Sequence, residues 1–182
     1  APAPGDSLVF NSTGLASVNI TNNTMPQNLN SFTVNESYTG TIYFQPLFAQ
    51  GTWGSWQGTQ LWNVTNNIII NNGTMKIYGD AYNDSALGMK NITADGHGQE
   101  WRSVEGNISV GVSGKIDGVG LGFTKLIGPG AHAFGASHGG VGAAGSTTKQ
   151  PYGNASAPTS LGSGGQDNEG GSAIKLFANE LI

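Results

Sequence analysis

Apolar residues in this chain come in short runs in which every second position is Val, Ile, Leu, Phe or Tyr, and Gly, Asn or Asp closes most runs. That spacing belongs to a strand with one buried face. It predicts strands at Ser7–Phe10, Ala16–Ile20, Ser31–Val34, Gly40–Phe44, Gln60–Val64, Asn67–Ile70, Thr74–Tyr78, Asn107–Val110, Gly114–Ile116 and Ala173–Phe177. No longer segment carries apolar positions at a 3.6 period, and Gly, Asn and β-branched residues are poor helix formers. The expected fold class is all-β.

A weak internal repeat narrows this. The segment from Trp62 through Ile68-Ile-Ile70 to Lys76-Ile-Tyr-Gly79 aligns, with small gaps, to the one from Trp101 through Asn107-Ile-Ser-Val110 to Lys115-Ile-Asp-Gly118. Phe32–Ile42 repeats the order of strand, polar turn, Gly and strand. One strand-turn-strand unit used repeatedly predicts a parallel β-helix, a solenoid in which each turn buries its apolar residues against the next. Two similar hairpins of an antiparallel β-sandwich or jelly roll give the alternative.

Beyond residue 118 the texture changes to Gly, Ser, Ala and Pro. The predicted organisation is a single all-β domain over 1–182: an N-terminal arm or linker at 1–6, a strand-rich body at 7–118, a Gly-rich excursion at 119–171 and a C-terminal strand at 172–182. Such an excursion packs compactly where Gly permits close backbone approach. Gly114-Lys-Ile-Asp-Gly-Val-Gly-Leu-Gly122, Gly128-Pro-Gly130, Gly135-Ala-Ser-His-Gly-Gly-Val-Gly142, Pro158-Thr-Ser-Leu-Gly-Ser-Gly-Gly165 and Gly170-Gly-Ser-Ala-Ile-Lys-Leu176 resemble secreted Gly-rich parallel β-helix proteins of the adhesin or surface-fibre kind. The resemblance covers residues 114–176. It implies a right-handed β-helix with the Gly-rich segment folded against one side, in a surface context, and carries over no catalytic residue.

Charged residues make up only 10% of the chain, well below the ~25% of ordinary soluble domains. The formal net charge is −4 without a basic run, which argues against nucleic acid as a partner. Cys is absent, so stability comes without disulfides or thiolate metal sites. No apolar stretch reaches the length of a membrane span, and Ala1-Pro-Ala-Pro-Gly5 reads as a mature start or as a linker between repeats.

Hydration that charge does not supply has another source. Asn-X-Ser/Thr occurs at Asn11, Asn19, Asn22, Asn35, Asn63, Asn72, Asn83, Asn91, Asn107 and Asn154, ten N-glycosylation acceptors against the about three that composition gives by chance. At Asn19, Asn63, Asn91 and Asn107 a β-branched aliphatic separates Asn from the hydroxyl residue. Alternation along a strand then sends Ile or Val to the core and both polar residues to solvent. Covalent N-linked glycans on that face predict a secretory route and an extracellular or cell-surface location, with no other cofactor.

Catalytic and metal chemistry find little support. His97, His132 and His138 match no zinc spacing, and the acidic residues form no calcium loop. Asp95, Glu100 and Arg102 make the only mixed cluster, and it reads as a solvated turn rather than a catalytic pair. Trp53 and Trp56, near Phe44, Phe48, Trp62 and Trp101, are candidates for sugar stacking or subunit contact, with core packing as the plainer role. The expected function is therefore not enzymatic. It is that of a glycosylated extracellular structural protomer, or repeat, that joins copies of itself head to tail into a filament or surface layer. A carbohydrate-binding adhesin module is the alternative, and a β-helix polysaccharide lyase or hydrolase the more distant one.

Overall fold

A computed structural model of the chain describes residues 2–14, 16–21, 26–45, 60–79, 98–138, 141–142, 150–154, 156 and 160–182. Their regular structure is strand throughout: β1 Ser7–Phe10, β2 Val18–Thr21, β3 Asn28–Leu29, β4 Ser31–Val34, β5 Thr41–Gln45, β6 Gln60–Val64, β7 Ile68–Ile77, β8 Gln99–Ser103, β9 Ile108–Asp117 and β10 Ile174–Phe177, with one short 3-10 turn at Ser12–Gly14. The protein is all-β.

The strands form two sheets. One runs β1-β4-β7-β5-β2 with β9 also on β7, and the other β10-β8-β6-β3. Every resolved register is parallel: Leu8 with Phe32, Phe32 with Ile68 and Ile68 with Ile108 in one column, Val18 with Ile42, Ile42 with Met75 and Met75 with Ile116 in another. Parallel pairing sets aside the antiparallel sandwich or jelly roll, whose strands would join through hairpins. β7 serves two partners because it is long: Ile68–Ile70 lie on β4, and Thr74–Ile77 on β5. The first sheet curls there.

Two pairs of expected strands are continuous. Asn67–Ile70 and Thr74–Tyr78 merge into β7, and Asn107–Val110 and Gly114–Ile116 into β9. The polar turn expected between each pair is a register irregularity, where Ile70 faces Val110 but Asn72 faces Ser113. The partner offset grows from 39 at Trp62 and Trp101 to 40 at Ile68 and Ile108 and, past this irregularity, to 41, so Trp62 pairs with Trp101 as aligned, whereas Lys76 meets Asp117 rather than Lys115. Gly73 turns the corner in β7 with φ 72°, and a Cβ there would lie 2.9 Å from both the Gly40 carbonyl oxygen and a Tyr38 ring carbon. Only glycine satisfies both demands.

The chain gathers into two compact units, one of Ala1–Ile77, Gln99–Asp117 and Lys175–Ile182, the other of Tyr78–Gly98 and Gly118–Ile174. The first holds an alternating core. Phe32, Val34, Ile42, Phe44, Trp62, Val64, Ile68, Ile70, Met75, Ile77, Trp101 and Ile108 are all almost fully buried, one from every second position of their strands, as strand geometry requires. At its centre the Phe44 and Trp101 rings meet edge-on at 4.6 Å, and Phe32 approaches Trp101 at 5.5 Å. Gln99 is buried beside them and accepts from the Trp62 indole N–H at 2.8 Å while donating to the Phe44 carbonyl at 2.9 Å. A buried amide with both ends engaged has its desolvation cost offset by those hydrogen bonds.

The second unit is held by backbone contact. The Gly170 N–H donates to the Phe123 carbonyl and the Gly122 N–H to the Gly170 carbonyl, both at 2.8 Å. A Cβ at Gly170 would fall 1.7 Å from the Gly162 carbonyl oxygen. Phe123 and Leu161 are fully buried in this unit. A hydrogen-bond chain runs from the Gly130 N–H to Ser163 Oγ at 2.9 Å, from that hydroxyl to Tyr152 Oη at 2.8 Å, and from Tyr152 to the Leu161 carbonyl.

Candidate functional site: the outer asparagine face and the open strand edges

The strands set the direction of each acceptor asparagine. Asn19 is exposed while Ile20 beside it is buried at 5%. Asn63 is half-buried with Val64 at 0% and Thr65 exposed, and Asn107 is half-buried with Ile108 at 1% and Ser109 half-buried. At these three places the aliphatic residue turns inward and the amide outward, as period-2 geometry demands. Asn22, Asn83 and Asn91 lie outside the described residues, as do Trp53 and Trp56.

The remaining acceptors sit in turns or at the corner of β7. Asn11 and Asn154 are exposed, and each uses its side-chain oxygen to accept the backbone N–H of the hydroxyl residue of its own triplet: Thr13 at 3.0 Å and Ser156 at 2.9 Å. Asn35 follows β4 in a turn, its carbonyl accepting the Tyr38 N–H at 3.0 Å. Asn72 is engaged at both ends, donating to the Glu36 carbonyl at 2.8 Å and accepting the Gly73 N–H at 2.7 Å.

Asparagines outside the triplets join Asn63 and Asn107 in a feature that strand periodicity did not reveal. Asn63 donates to Asn28 Oδ1 at 3.2 Å, Asn66 to Asn30 Oδ1 at 2.8 Å, and Asn30 to Ser7 Oγ at 3.0 Å. Asn67 Oδ1 accepts the Asn107 backbone N–H at 2.9 Å. Stacked amides of this kind tie neighbouring parallel strands at equivalent corners. The sequence signal was the recurrence of Asn at the strand ends, where it reads first as a turn former.

On the outer face of β8, Glu100 receives hydrogen bonds from Arg102 and, at 3.0 Å, from Lys175. Burial alone would raise its carboxyl pKa; the two cations outweigh that and hold it below the ordinary carboxylate value. Arg102 also lies 5.6 Å over the ring of Phe177, which is exposed. A carboxylate held by two cations is ionised and occupied, which suits neither a general acid nor a free base. Asp95 lies outside the described residues.

Among the described residues, His132 and His138 join no group of metal ligands. His132 Nδ1 accepts the Phe134 N–H at 3.2 Å, His138 packs edge-on against Tyr152 at 4.8 Å, and His97 is outside the described residues. Among the described residues no three His, Asp or Glu side chains gather as metal ligands, and no helix is long and apolar enough to cross a membrane. Trp62 and Trp101 belong to the core.

The strand edges are the other prominent feature. β1 pairs only with β4 and β2 only with β5, so each presents one open edge among the described strands. β9 closes the far side of both columns. Exposed Val110, Val112, Leu181 and Ile182 lie at this end of the unit. No protein-family model, no curated protein and no solved structure matches the chain.

Proposed function

We propose that this chain is an N-glycosylated extracellular structural protomer, built as a short parallel β-helix, that joins copies of itself head to tail into a filament or surface layer. The observation that carries the proposal is the outward turn of Asn19, Asn63 and Asn107 on strands whose Ile20, Val64 and Ile108 fill the core. Sugar on that face supplies the hydration that a 10% charged chain lacks. The β-helix reading is supported by the column order, in which successive strands return to the same place one layer on. Assembly is supported by the outer edges of β1 and β2, which no described strand covers, since an unpaired row of N–H and C=O groups is a template for another strand. Ser163, Tyr152 and Glu100, the polar groups best placed for chemistry, are each taken up in structural contacts.

Negative-stain electron microscopy of native material tests the assembly. Regular filaments or sheets of uniform width are expected, and a field of isolated particles at micromolar concentration would rule the assembly out.

A further inference from the structure

Asn63 lies in an outward row of the second sheet. Its partners in register are Asn28 on β3 and Arg102 on β8. Partners on parallel strands send their side chains to the same face, and Trp62 and Trp101, one residue before them, fill the core. Asn63 and Arg102 are therefore neighbours on the outer face, their backbones about 4.8 Å apart. On the far side of β8, β10 carries Phe177, and Arg102 lies 5.6 Å over its ring.

The amide gives this row a direction. Asn63 donates one N–H to Asn28 Oδ1 at 3.2 Å. A glycosylated asparagine gives up one of its two N–H groups and keeps the other, so the bond to Asn28 survives modification. The sugar then leaves by the N–H that diverges from β3, on the β8 side. There Phe177 is 56% exposed and the Arg102 side chain 43% exposed. Arg102 is pinned from behind, because its Nε donates to Glu100 and Lys175 holds the same carboxylate at 3.0 Å. Nε–H is only one of five donors on the guanidinium. Guanidinium plane and aromatic ring together make a flat, fixed platform beside the acceptor.

We infer that the glycan on Asn63 lies back along the sheet and packs on Arg102 and Phe177, with the C–H face of a pyranose on the ring and its oxygens accepting from the guanidinium. This rests on the glycosylation reading above and gives one of those glycans a seat on the protein. The contact needs little intrinsic affinity, since the sugar is tethered one strand away at an effective concentration of roughly millimolar or more. Its apolar face covers an aromatic that otherwise meets water, and a planar guanidinium suits both stacking and paired oxygen acceptors. The glycan thereby links β6 to β8 and β10 across the outside of the sheet.

A double-variant cycle on the glycosylated protein tests the seat. Thr65→Ala removes the acceptor triplet and with it the Asn63 glycan, whatever its composition, whereas Thr65→Ser keeps the triplet. Thr65 and Phe177 are both exposed, so neither change reaches the core. Phe177→Ala is expected to lower Tm by about 2–4 °C more in the glycosylated parent than in the Thr65→Ala background, where only the Arg102 contact over the ring is lost. Thr65→Ser is expected to behave as the parent, with glycopeptide mass spectrometry reporting occupancy in each protein. Equal Phe177→Ala shifts with and without the glycan would overturn the seat and leave the glycosylation reading intact. So would a bare Asn63 beside glycosylated Asn19 and Asn107. Equal shifts accompanied by loss of filaments would assign Phe177 to a contact between copies and likewise overturn the seat. Bare asparagine at every acceptor would overturn the seat and the glycosylation reading together.

Discussion

Trp62 and Trp101 are direct partners in adjacent parallel strands, and their indoles stack at 5.4 Å with 23° between the planes. Both are 1% exposed. The pair fixes the second sheet against the aromatic centre formed with Phe44 and Phe32, since a slip of one residue would send both indoles to the outer face.

Trp101→Ala opens a cavity where Phe44 and Phe32 now meet the ring edge-on. A loss of about 3–5 kcal/mol is expected from truncating a buried aromatic, read as a lower denaturant midpoint. Trp62→Phe keeps much of the packing but loses the hydrogen bond from the indole N–H to the buried Gln99 oxygen. About 1 kcal/mol is expected there. An unchanged midpoint in both variants would remove the aromatic centre from the account.

Gly170→Ala tests the second unit. The added Cβ meets the Gly162 carbonyl oxygen at 1.7 Å, and neither backbone can yield without breaking the bonds that join Gly170 to Phe123 and Gly122. Proteolysis within residues 118–171 should become faster while amide protection in β4, β7 and β9 persists. By contrast, a Cβ at Gly5 meets nothing within 4 Å, so Gly5→Ala carries only the strain of its φ of 86°. Equal proteolysis rates for the two variants would contradict the close-packed backbone.

Glu100 gives a pH signature. Because Arg102 and Lys175 hold its folded pKa below the ordinary carboxylate value, the group binds fewer protons folded than unfolded as pH falls into the acid range. Its contribution is fully present above the unfolded Glu pKa of about 4.3 and is lost as pH drops through the lower folded value. Arg102 and Lys175 are 43% and 52% exposed, so the contribution is screened to under about 1 kcal/mol. Glu100→Gln should lower the midpoint slightly at pH 7 and flatten its fall between pH 5 and pH 3, as followed by thermal melts; a variant with the parent's acid profile would contradict the ion triad.

Strand positions were legible wherever alternation was strong, as at Phe32–Val34, Ile42–Phe44 and Ile68–Ile70, because period 2 is imposed by the pleat itself. β8 escaped notice because Gln99-Glu-Trp-Arg-Ser103 shows no aliphatic alternation, and Gln99 is buried through hydrogen bonds rather than hydrophobicity. β3 is too short to carry a period. The pairing of Trp62 with Trp101 was visible as a repeat, but the two one-residue steps, one before Ile68 and one after Ile70, that bring Lys76 onto Asp117 depend on corners that only the folded backbone specifies. The same holds for the acceptors. Alternation oriented Asn19, Asn63 and Asn107, whereas the engagement of both ends of the Asn72 amide follows from its contacts with Glu36 and Gly73.

Glycopeptide mass spectrometry of the native protein tests the central claim most directly. Peptides carrying Asn19, Asn63 and Asn107 are expected to bear glycan mass, which Thr21→Ala, Thr65→Ala and Ser109→Ala each remove from one site alone. Unmodified asparagine at all three outward positions would contradict the account.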